Sequence, residues 1–448
     1  MKVSVPKETI EKIMADYGVS QDEAVKAYLD AQEKAFELFN TILSSRLGEP
    51  RKPAGPEFEV TVFTPREIRQ HLDKYVVGQD EYKTRLSIAA SYHFAMVKHL
   101  QEHPEELRVR RFRKKNTITA GPSGSGKTYC LEVLGDLLKV PTLIIDATDY
   151  TEAGYVGKNS DDMIRELIDL APGKDRREQA AFIGKYGGLI FIDEFDKKAK
   201  DRALIGHDVG GEGFQRSVLK LVERKAVPID NPYSAVHQLR EFMDQQQGRR
   251  GSRHEHMVST ENILFILGGS FERLDNSLEQ IVKKRLSRRG ATFDDEAVVI
   301  EGFAARPTDE SKERKEEIRY DQAVSDDFIA FGLLPEIVGR APIRTFVKPL
   351  SREDLVRIMK DTEDSILYQY ELEFSLFGIA VEFRDDAIEF VAERAQNRKT
   401  GARALVSTWE GILTGFQFEL PGSGVTKLIV DRALCQDPGG TLARLLQR

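Results

Sequence analysis

Cysteine is scarce in this sequence of 448 residues, which contains only Cys130 and Cys435. Two thiols are too few for a disulfide framework or for a zinc module built from cysteines. Because structural disulfides belong to oxidising compartments, the composition favours a reducing cytoplasm. Cys130 lies within an apolar segment, where a thiol usually packs as a small core side chain.

Long hydrophobic runs are absent as well. No stretch has the ~20 consecutive apolar residues that a membrane-spanning helix needs, and polar residues occur throughout the first dozen positions. We therefore expect no membrane partner and no signal peptide. The 73 acidic residues outnumber the 66 basic ones, and this net charge of −7 argues against a surface built to bind nucleic acid.

One motif matches the phosphate-binding pattern G-x-x-x-x-G-K-[ST], and it consists of Gly121, Pro122, Ser123, Gly124, Ser125, Gly126, Lys127 and Thr128. Glycines let the backbone turn its N–H groups towards phosphate oxygens. Lys127 would contact the β and γ phosphates, and the Thr128 hydroxyl would bind Mg²⁺. An apolar strand pattern precedes the loop and a helical pattern begins after it at Tyr129, an arrangement that does not suit the alternative of a flexible linker.

Two acids, Asp193 and Glu194, end a continuous apolar run over residues 188–192. Such a run predicts a strand buried on both faces of a parallel sheet, and ligands bind at the carboxyl end of such strands. We expect Asp193 to hold Mg²⁺ and Glu194, on the other side of the pleat, to act as the base that polarises an attacking water. An isolated acid pair is more often a solvated loop, but beside a phosphate loop it indicates nucleotide hydrolysis or phosphoryl transfer.

Composition and hydrophobic periodicity divide the chain into five segments. Residues 1–48 predict an N-terminal helical module, and residues 49–63 are rich in proline and glycine, which indicates a linker. Residues 64–347 contain both motifs and predict a nucleotide-binding α/β domain with a parallel sheet flanked by helices. Residues 348–432 predict a small, mainly helical α+β domain, and residues 433–448 are set apart as a tail. Within the small domain we expect an apolar helix face formed by Leu355, Ile358, Met359 and Ile366.

Several further motifs occur in the same order as in the ClpX and HslU group of AAA+ unfoldases, and the chain resembles that group over residues 64–430. Residues 64–79 are similar to the segment that packs around adenine in that group, and residues 151–157 to its first pore loop. Residues 332–340 resemble its arginine-finger segment, and residues 399–403 its second sensor. The resemblance implies a P-loop AAA+ fold, ATP and Mg²⁺ as cofactors, a homohexameric ring and protein substrates.

The resemblance also implies roles for individual residues. Val77 and Tyr129 would contact the nucleotide, and Arg403 would contact its phosphates within the same subunit. Arg340 would complete the site of the neighbouring subunit, and Tyr155 with Val156 would grip polypeptide in the central channel. The alternatives are an intramolecular salt bridge for Arg340, a surface position for Arg403 and an exposed turn for Tyr155. Ser270 is the candidate for the first sensor.

This sequence departs from the group in two places. Residues 1–48 contain no cysteine, so we expect no N-terminal zinc domain; this module would recruit an adaptor or would serve packing or assembly. Residues 283–293 carry clustered cations where the group has an apolar tripeptide that docks on the ClpP peptidase, so we expect no ClpP partner. We therefore interpret the chain as an ATP-dependent unfoldase or remodelling chaperone. The alternatives are a nucleic-acid-dependent AAA+ motor, favoured by basic runs at residues 249–253 and 283–289, and an ATP-binding switch without motor activity.

Overall fold

The structure, a computed structural model, separates the chain into two units, Met1–Glu59 and Val60–Arg448. It describes residues 14, 18, 20, 21, 61–106, 113–151, 158–200, 209–230, 257–273, 277–288, 292–294, 297–299, 322–398 and 401–447. The predictions for the N-terminal helical module, for most of the linker, and for Tyr155 and Val156 lie outside the described residues. In the part of the chain that is described, no helix combines the length and the hydrophobicity needed to cross a membrane.

A five-stranded parallel sheet lies at the centre of the second unit, in the order β11-β1-β8-β5-β2. Its strands are β1 (Thr117–Ala120), β2 (Thr142–Asp146), β5 (Gly188–Asp193), β8 (Ile263–Gly269) and β11 (Ile343–Phe346). Every residue of β1 and β8 is buried, and so is β5 up to its final aspartate. This burial on both faces explains the continuous apolar runs in the sequence and confirms the predicted parallel sheet.

Helices flank this sheet. They are α1 (Pro65–Tyr75), α2 (Asp80–Glu102), α3 (Lys127–Leu138), α4 (Ser160–Asp169), α5 (Arg176–Tyr186), α6 (Val209–Glu223), α7 (Leu278–Arg288), α8 (Ser325–Phe331) and α9 (Pro335–Arg340). The first begins after Thr64, because Thr64 and Glu67 form a reciprocal capping box. Cys130 lies on α3 and is fully buried, as expected for a core thiol.

Between the phosphate loop and the acid pair the chain contains the helices α3, α4 and α5 and the sheet strand β2. The short strands β3 (Tyr150–Thr151) and β4 (Lys158–Asn159) pair with each other on either side of residues 152–157. Two further two-stranded pairs are β6 (Ala226–Pro228) with β7 (Met257–Ser259), and β9 (Thr292–Asp294) with β10 (Ala297–Val299).

The C-terminal part has its own buried core around Trp409, which is fully buried and meets the ring of Phe383 edge-on. Its elements are α10 (Arg352–Lys360), α11 (Ile366–Ser375), β12 (Ala380–Phe383), α12 (Asp385–Asn397), α13 (Arg403–Glu419), β13 (Lys427–Val430), α14 (Arg432–Gln436) and α15 (Pro438–Leu446). The expected single helix face was wrong in one position, since Ile366 starts α11. The segment set apart as a tail is helical, and Leu434 and Leu442 pack on this core.

Candidate active site

The phosphate-binding motif connects β1 to α3, so strand, loop and helix follow one another as the sequence predicts. Gly126 lies in the left-handed region with φ of 93°, where a side chain would be strained, and α3 begins at the next residue. The N-terminus of α3 therefore points its free N–H groups and the positive end of its dipole into the loop. Such a terminus attracts phosphate.

Lys127 is buried at the base of this loop. Its ammonium donates hydrogen bonds to the carbonyl oxygens of Gly121 at 2.6 Å and Pro122 at 2.8 Å. Burial lowers the pKa of Lys127, while the carboxylates of Asp193 and Asp196 act in the opposite direction. Because its protein partners are neutral carbonyls, the positive charge of Lys127 remains available to phosphate.

Asp193 and Thr128 meet at the carboxyl end of β5, where Thr128 Oγ1 donates to Asp193 Oδ2 at 3.3 Å. The other oxygen of Asp193 accepts a hydrogen bond from the backbone N–H of Glu194 at 2.9 Å. Hydroxyl and carboxylate oxygens are ligands that Mg²⁺ prefers. The two residues predicted to bind the metal are thus adjacent and chemically suited to it.

The backbone conformation of Glu194 at this site differs from the one predicted from the sequence. The pleat argument placed it on the face opposite Asp193, but the strand ends at Asp193 and Glu194 adopts a left-handed conformation with φ of 52°. Burial raises the pKa of the Glu194 carboxyl, and the nearby carboxylate of Asp146 raises it further. A carboxylate with a raised pKa is a stronger base towards water.

A cavity of 510 Å³ opens between the loop, the strand ends and the C-terminal part. Its size suits a nucleotide. Of the residues predicted to bind nucleotide or metal or to catalyse, those that line it are Val77, Ser123, Gly124, Ser125, Gly126, Lys127, Thr128, Tyr129, Asp193, Glu194 and Arg403. Gly121 and Pro122 do not line the cavity; their carbonyl oxygens bind Lys127 instead. Tyr75, Leu350 and Ile358 line it as well, and give it an apolar wall beside Val77.

Arg403 begins α13 and points towards the phosphate loop, with its Nη1 3.4 Å from Ser123 Oγ. The chain just before it contacts the loop closely, since the N–H of Ala402 donates to the carbonyl of Gly124 at 3.0 Å. A Cβ on Gly401 would lie 2.3 Å from that same carbonyl oxygen, so glycine is required there. The C-terminal part thus presents a cation at the phosphate end of the cavity.

Arg340 lies elsewhere. It is the last residue of α9, and its Nε and Nη2 bind Glu223 Oε1 at 2.8 Å and 2.7 Å. The intramolecular salt bridge that the sequence left open is therefore present. The carbonyl of Arg340 also accepts a hydrogen bond from the side chain of Asn116, which precedes β1, whereas the phosphate loop follows β1. At ~3.3 Å per residue, roughly 16 Å of strand separates Asn116 from Gly121, so the backbone of Arg340 lies at the opposite end of β1 from the loop of its own chain.

Sequence reasoning found one of the two residues after β8 that line the cavity, and it missed Asp196 after β5. Ser270, the sensor candidate, lines the cavity and its hydroxyl binds Asp196 Oδ2 at 3.2 Å. Asp196 and Glu272 also line the cavity, although neither was predicted to do so. The place of Glu272 in the sequence could have predicted this, because it follows closely on an apolar strand whose carboxyl end lies beside the phosphate loop.

Comparison with known proteins identifies the family of this chain. Residues 113–344 match the family model described as AAA domain (Cdc48 subfamily). The chain is 34% identical over 375 residues to the ATP-dependent Clp protease ATP-binding subunit ClpX of Treponema denticola, which covers 83% of this chain and 81% of that protein. Proteins of the same name from Borrelia duttonii and Borrelia recurrentis are 34% identical over 384 residues, with 85% and 80% covered. The chain therefore belongs to the AAA family, in its ClpX-like group.

Family membership confirms two predictions made from the motifs. The fold is a P-loop AAA+ fold, with the parallel sheet and its flanking helices in place. The protein is an ATPase of this ClpX-like group.

Proposed function

We propose that this protein forms a homohexameric ring that uses ATP hydrolysis to unfold or remodel polypeptides threaded through its central channel. The position of Arg340 supports the ring most directly. Arg340 lies at the opposite end of the sheet from its own phosphate loop, so an arginine that completes a hydrolysis site must serve the loop of another copy. A permanently charged, bidentate guanidinium is suited to a phosphoryl group under attack.

Within one subunit, the proposed reaction uses the residues around the 510 Å³ cavity. Lys127 and Arg403 neutralise phosphate charge, while Thr128 and Asp193 hold Mg²⁺, which contributes charge neutralisation when bound. Glu194 accepts a proton from water as the water oxygen forms its bond to the γ-phosphorus. The bond from that phosphorus to the ADP oxygen breaks in the same displacement.

The proposed grip on polypeptide depends on Tyr155 and Val156, which lie between two fixed anchors. Tyr150 on β3 is buried and donates its hydroxyl to Glu166 at 2.9 Å, and Lys158 on β4 forms an ion pair with Glu166 at 2.9 Å. The residues on either side of 152–157 thus both contact α4 at one glutamate. Such contacts can transmit force from the ATPase body to a bound chain.

We further propose that the protein acts without ClpP and that residues 1–48 recruit substrates or an adaptor. The cationic composition of residues 283–289 supports the first part, because charged side chains do not suit an apolar docking pocket. The side chain of Arg285, in this segment, moreover forms an ion pair with Asp327, with its Nε 2.9 Å from Oδ1. The cytoplasmic location expected from the low cysteine content stays a prediction.

Substitution of Tyr155 tests the proposed threading. Tyr155→Ala should hydrolyse ATP at close to the wild-type rate but lose the ability to unfold a stably folded protein that carries an unstructured tail. Tyr186→Ala, at an aromatic position on α5 outside the channel segment, serves as the control and should unfold the same substrate. Normal unfolding by Tyr155→Ala would exclude the proposed grip. Stimulation of ATP hydrolysis by single-stranded DNA but not by an unfolded protein would favour the nucleic-acid motor instead.

A further inference from the structure

Two neighbouring strands of the sheet end in unusual backbone conformations. Glu194 follows β5 with φ of 52°, and Phe271 lies just beyond β8 with φ of 54°. Side chains other than glycine rarely adopt this left-handed region, and a bulky aromatic residue does so only when its surroundings enforce it. Such strain clusters at functional sites.

The conformation of Phe271 is enforced from several directions. Its N–H donates to Asp196 Oδ2 at 2.9 Å, and its carbonyl accepts from the N–H of Leu278 at 3.0 Å. Its ring is fully buried and lies with its centroid 5.2 Å from the rings of both Phe328 and Phe331. The backbone therefore turns sharply at Phe271, and the next residue, Glu272, lines the nucleotide cavity.

Asp196 joins this turn to the acidic turn after β5. Its side chain is only 2% exposed and binds Phe271 and Ser270 through Oδ2, while its Oδ1 is buried and has no hydrogen-bond partner among the described residues. The fit is close, because a Cβ on Gly269 would lie 2.4 Å from Asp196 Oδ1. Asp196 thus joins the chain after β5 to the chain after β8. Glu194 and Glu272, which follow these two strands, line the same cavity.

Glu272 lines the same cavity as Lys127 and Glu194. No cluster of three acidic, histidine or cysteine residues able to hold a metal occurs in the described part of the chain. A carboxylate in this position can instead accept a hydrogen bond from water.

We propose that Glu272 is a second carboxylate of the hydrolysis site, which holds the attacking water by one hydrogen bond while Glu194 accepts its other proton. The proposal rests on the role of Glu194 given above. The proton moves to Glu194, the water oxygen bonds to the γ-phosphorus, and Glu272 stays ionised throughout. Two acceptors fix the orientation of the water and direct a lone pair at phosphorus, which a single base does not achieve.

Glu272→Gln tests the proposal, because the amide keeps the shape of the side chain and removes its charge. We expect the kcat for ATP hydrolysis to fall about tenfold, less than the 10²–10⁴-fold typical of a lost general base, with unchanged ATP affinity and thermal stability. The matched control is Glu279→Gln, a surface carboxylate in the first turn of α7 outside the cavity, which should retain the wild-type kcat.

A double substitution distinguishes two carboxylates that bind the same water from two carboxylates that act independently through their charge. If both carboxylates act on one water, the loss in Glu194→Gln/Glu272→Gln should be smaller than the product of the single losses, as measured in single-turnover hydrolysis. An unchanged kcat in Glu272→Gln, with or without tighter ATP binding, would overturn the inference, and so would multiplicative losses. Normal turnover by Glu194→Gln would instead refute the proposed function of Glu194 itself, so the two failures can be told apart.

Discussion

The hydroxyl of Tyr129 donates a 2.8 Å hydrogen bond to Asp364 Oδ2. Tyr129 follows the phosphate loop on α3, whereas Asp364 lies between α10 and α11 in the C-terminal part. Burial and the adjacent carboxylate of Asp364 raise the pKa of Tyr129 above its usual range. With the contact between Ala402 and Gly124, this bond connects the nucleotide loop to the C-terminal core at two separate points.

We expect Tyr129→Phe to loosen this connection. A hydrogen bond to a carboxylate that is partly open to solvent contributes about 0.5–1.5 kcal/mol, so the free energy of unfolding should fall by about that amount. Asp364→Asn should have a similar effect, and the double variant should show coupling between the two positions. Strictly additive losses would mean that the bond contributes nothing. Chemical denaturation measures all four proteins.

Glu194→Gln should bind ATP but lower turnover by about 10²–10⁴-fold, because the amide cannot accept a proton from water. The variant should therefore accumulate with ATP and with any bound polypeptide, which mass spectrometry would identify. Asp149→Asn, near the end of β2 but outside the cavity lining, is the control and should turn over normally. Unchanged turnover in Glu194→Gln would refute its assignment as the base.

Mixing two inactive variants tests whether Arg340 acts between subunits. Arg340→Ala and Glu194→Gln should each hydrolyse ATP very slowly while still binding it. In a mixed ring, about one seam in four would combine an intact Glu194 with an intact Arg340 from the neighbour, so activity should reappear on mixing. Glu212→Ala removes two other ion pairs of α6, with Arg216 at 2.6 Å and with Lys200 at 3.2 Å, and should remain active alone. Full activity of Arg340→Ala alone, or no recovery on mixing, would contradict action in trans.

Lys114 should make stability depend on pH. Burial of its ammonium, which donates to the carbonyl of Thr260 at 3.0 Å, lowers the pKa of Lys114 to about 7. Below pH 7 the group is charged in both the folded and the unfolded state, and the cost of burial is complete. Between pH 7 and the ordinary lysine value of 10.5 the unfolded state binds more protons, so the free energy of unfolding should rise with pH.

Comparison with Lys114→Met isolates this effect from other titrating groups. From pH 7 to pH 9 the wild type should gain on the order of 1–2 kcal/mol of stability relative to the variant. Lys115→Met replaces an exposed lysine next in the chain and should show no such trend. A constant difference between wild type and Lys114→Met across this range would show that the lysine is charged in the folded state throughout.

Local patterns predicted much of the hydrolysis site, because strand, glycine loop and helix are consecutive in the chain. Ile366 was misplaced because the periodicity continues across a polar turn, and only the cap formed by Ser365 on the N–H of Tyr368 shows that a new helix starts there.

Other features depend on contacts between distant parts of the chain. The position of Arg340 at the start of β1 accords with the pairing of β11 with β1, which the sequence does not display. Glu272 enters the cavity only because Asp196 holds the backbone of Phe271, 75 residues further along the chain. Positions of this kind require the tertiary structure, since neither a motif nor a period marks them.

The two cysteines are both buried, and burial raises the pKa of each thiol to about 12. Maleimides react with the thiolate, so both should be labelled slowly in the native protein. Cys130 lies on α3, the helix that follows the phosphate loop, and Cys435 lies in the C-terminal core, so the labelling rate at each would report the opening of a different core. The labelling rates of the two native cysteines can therefore show, without an engineered probe, which core opens first when ATP is withdrawn.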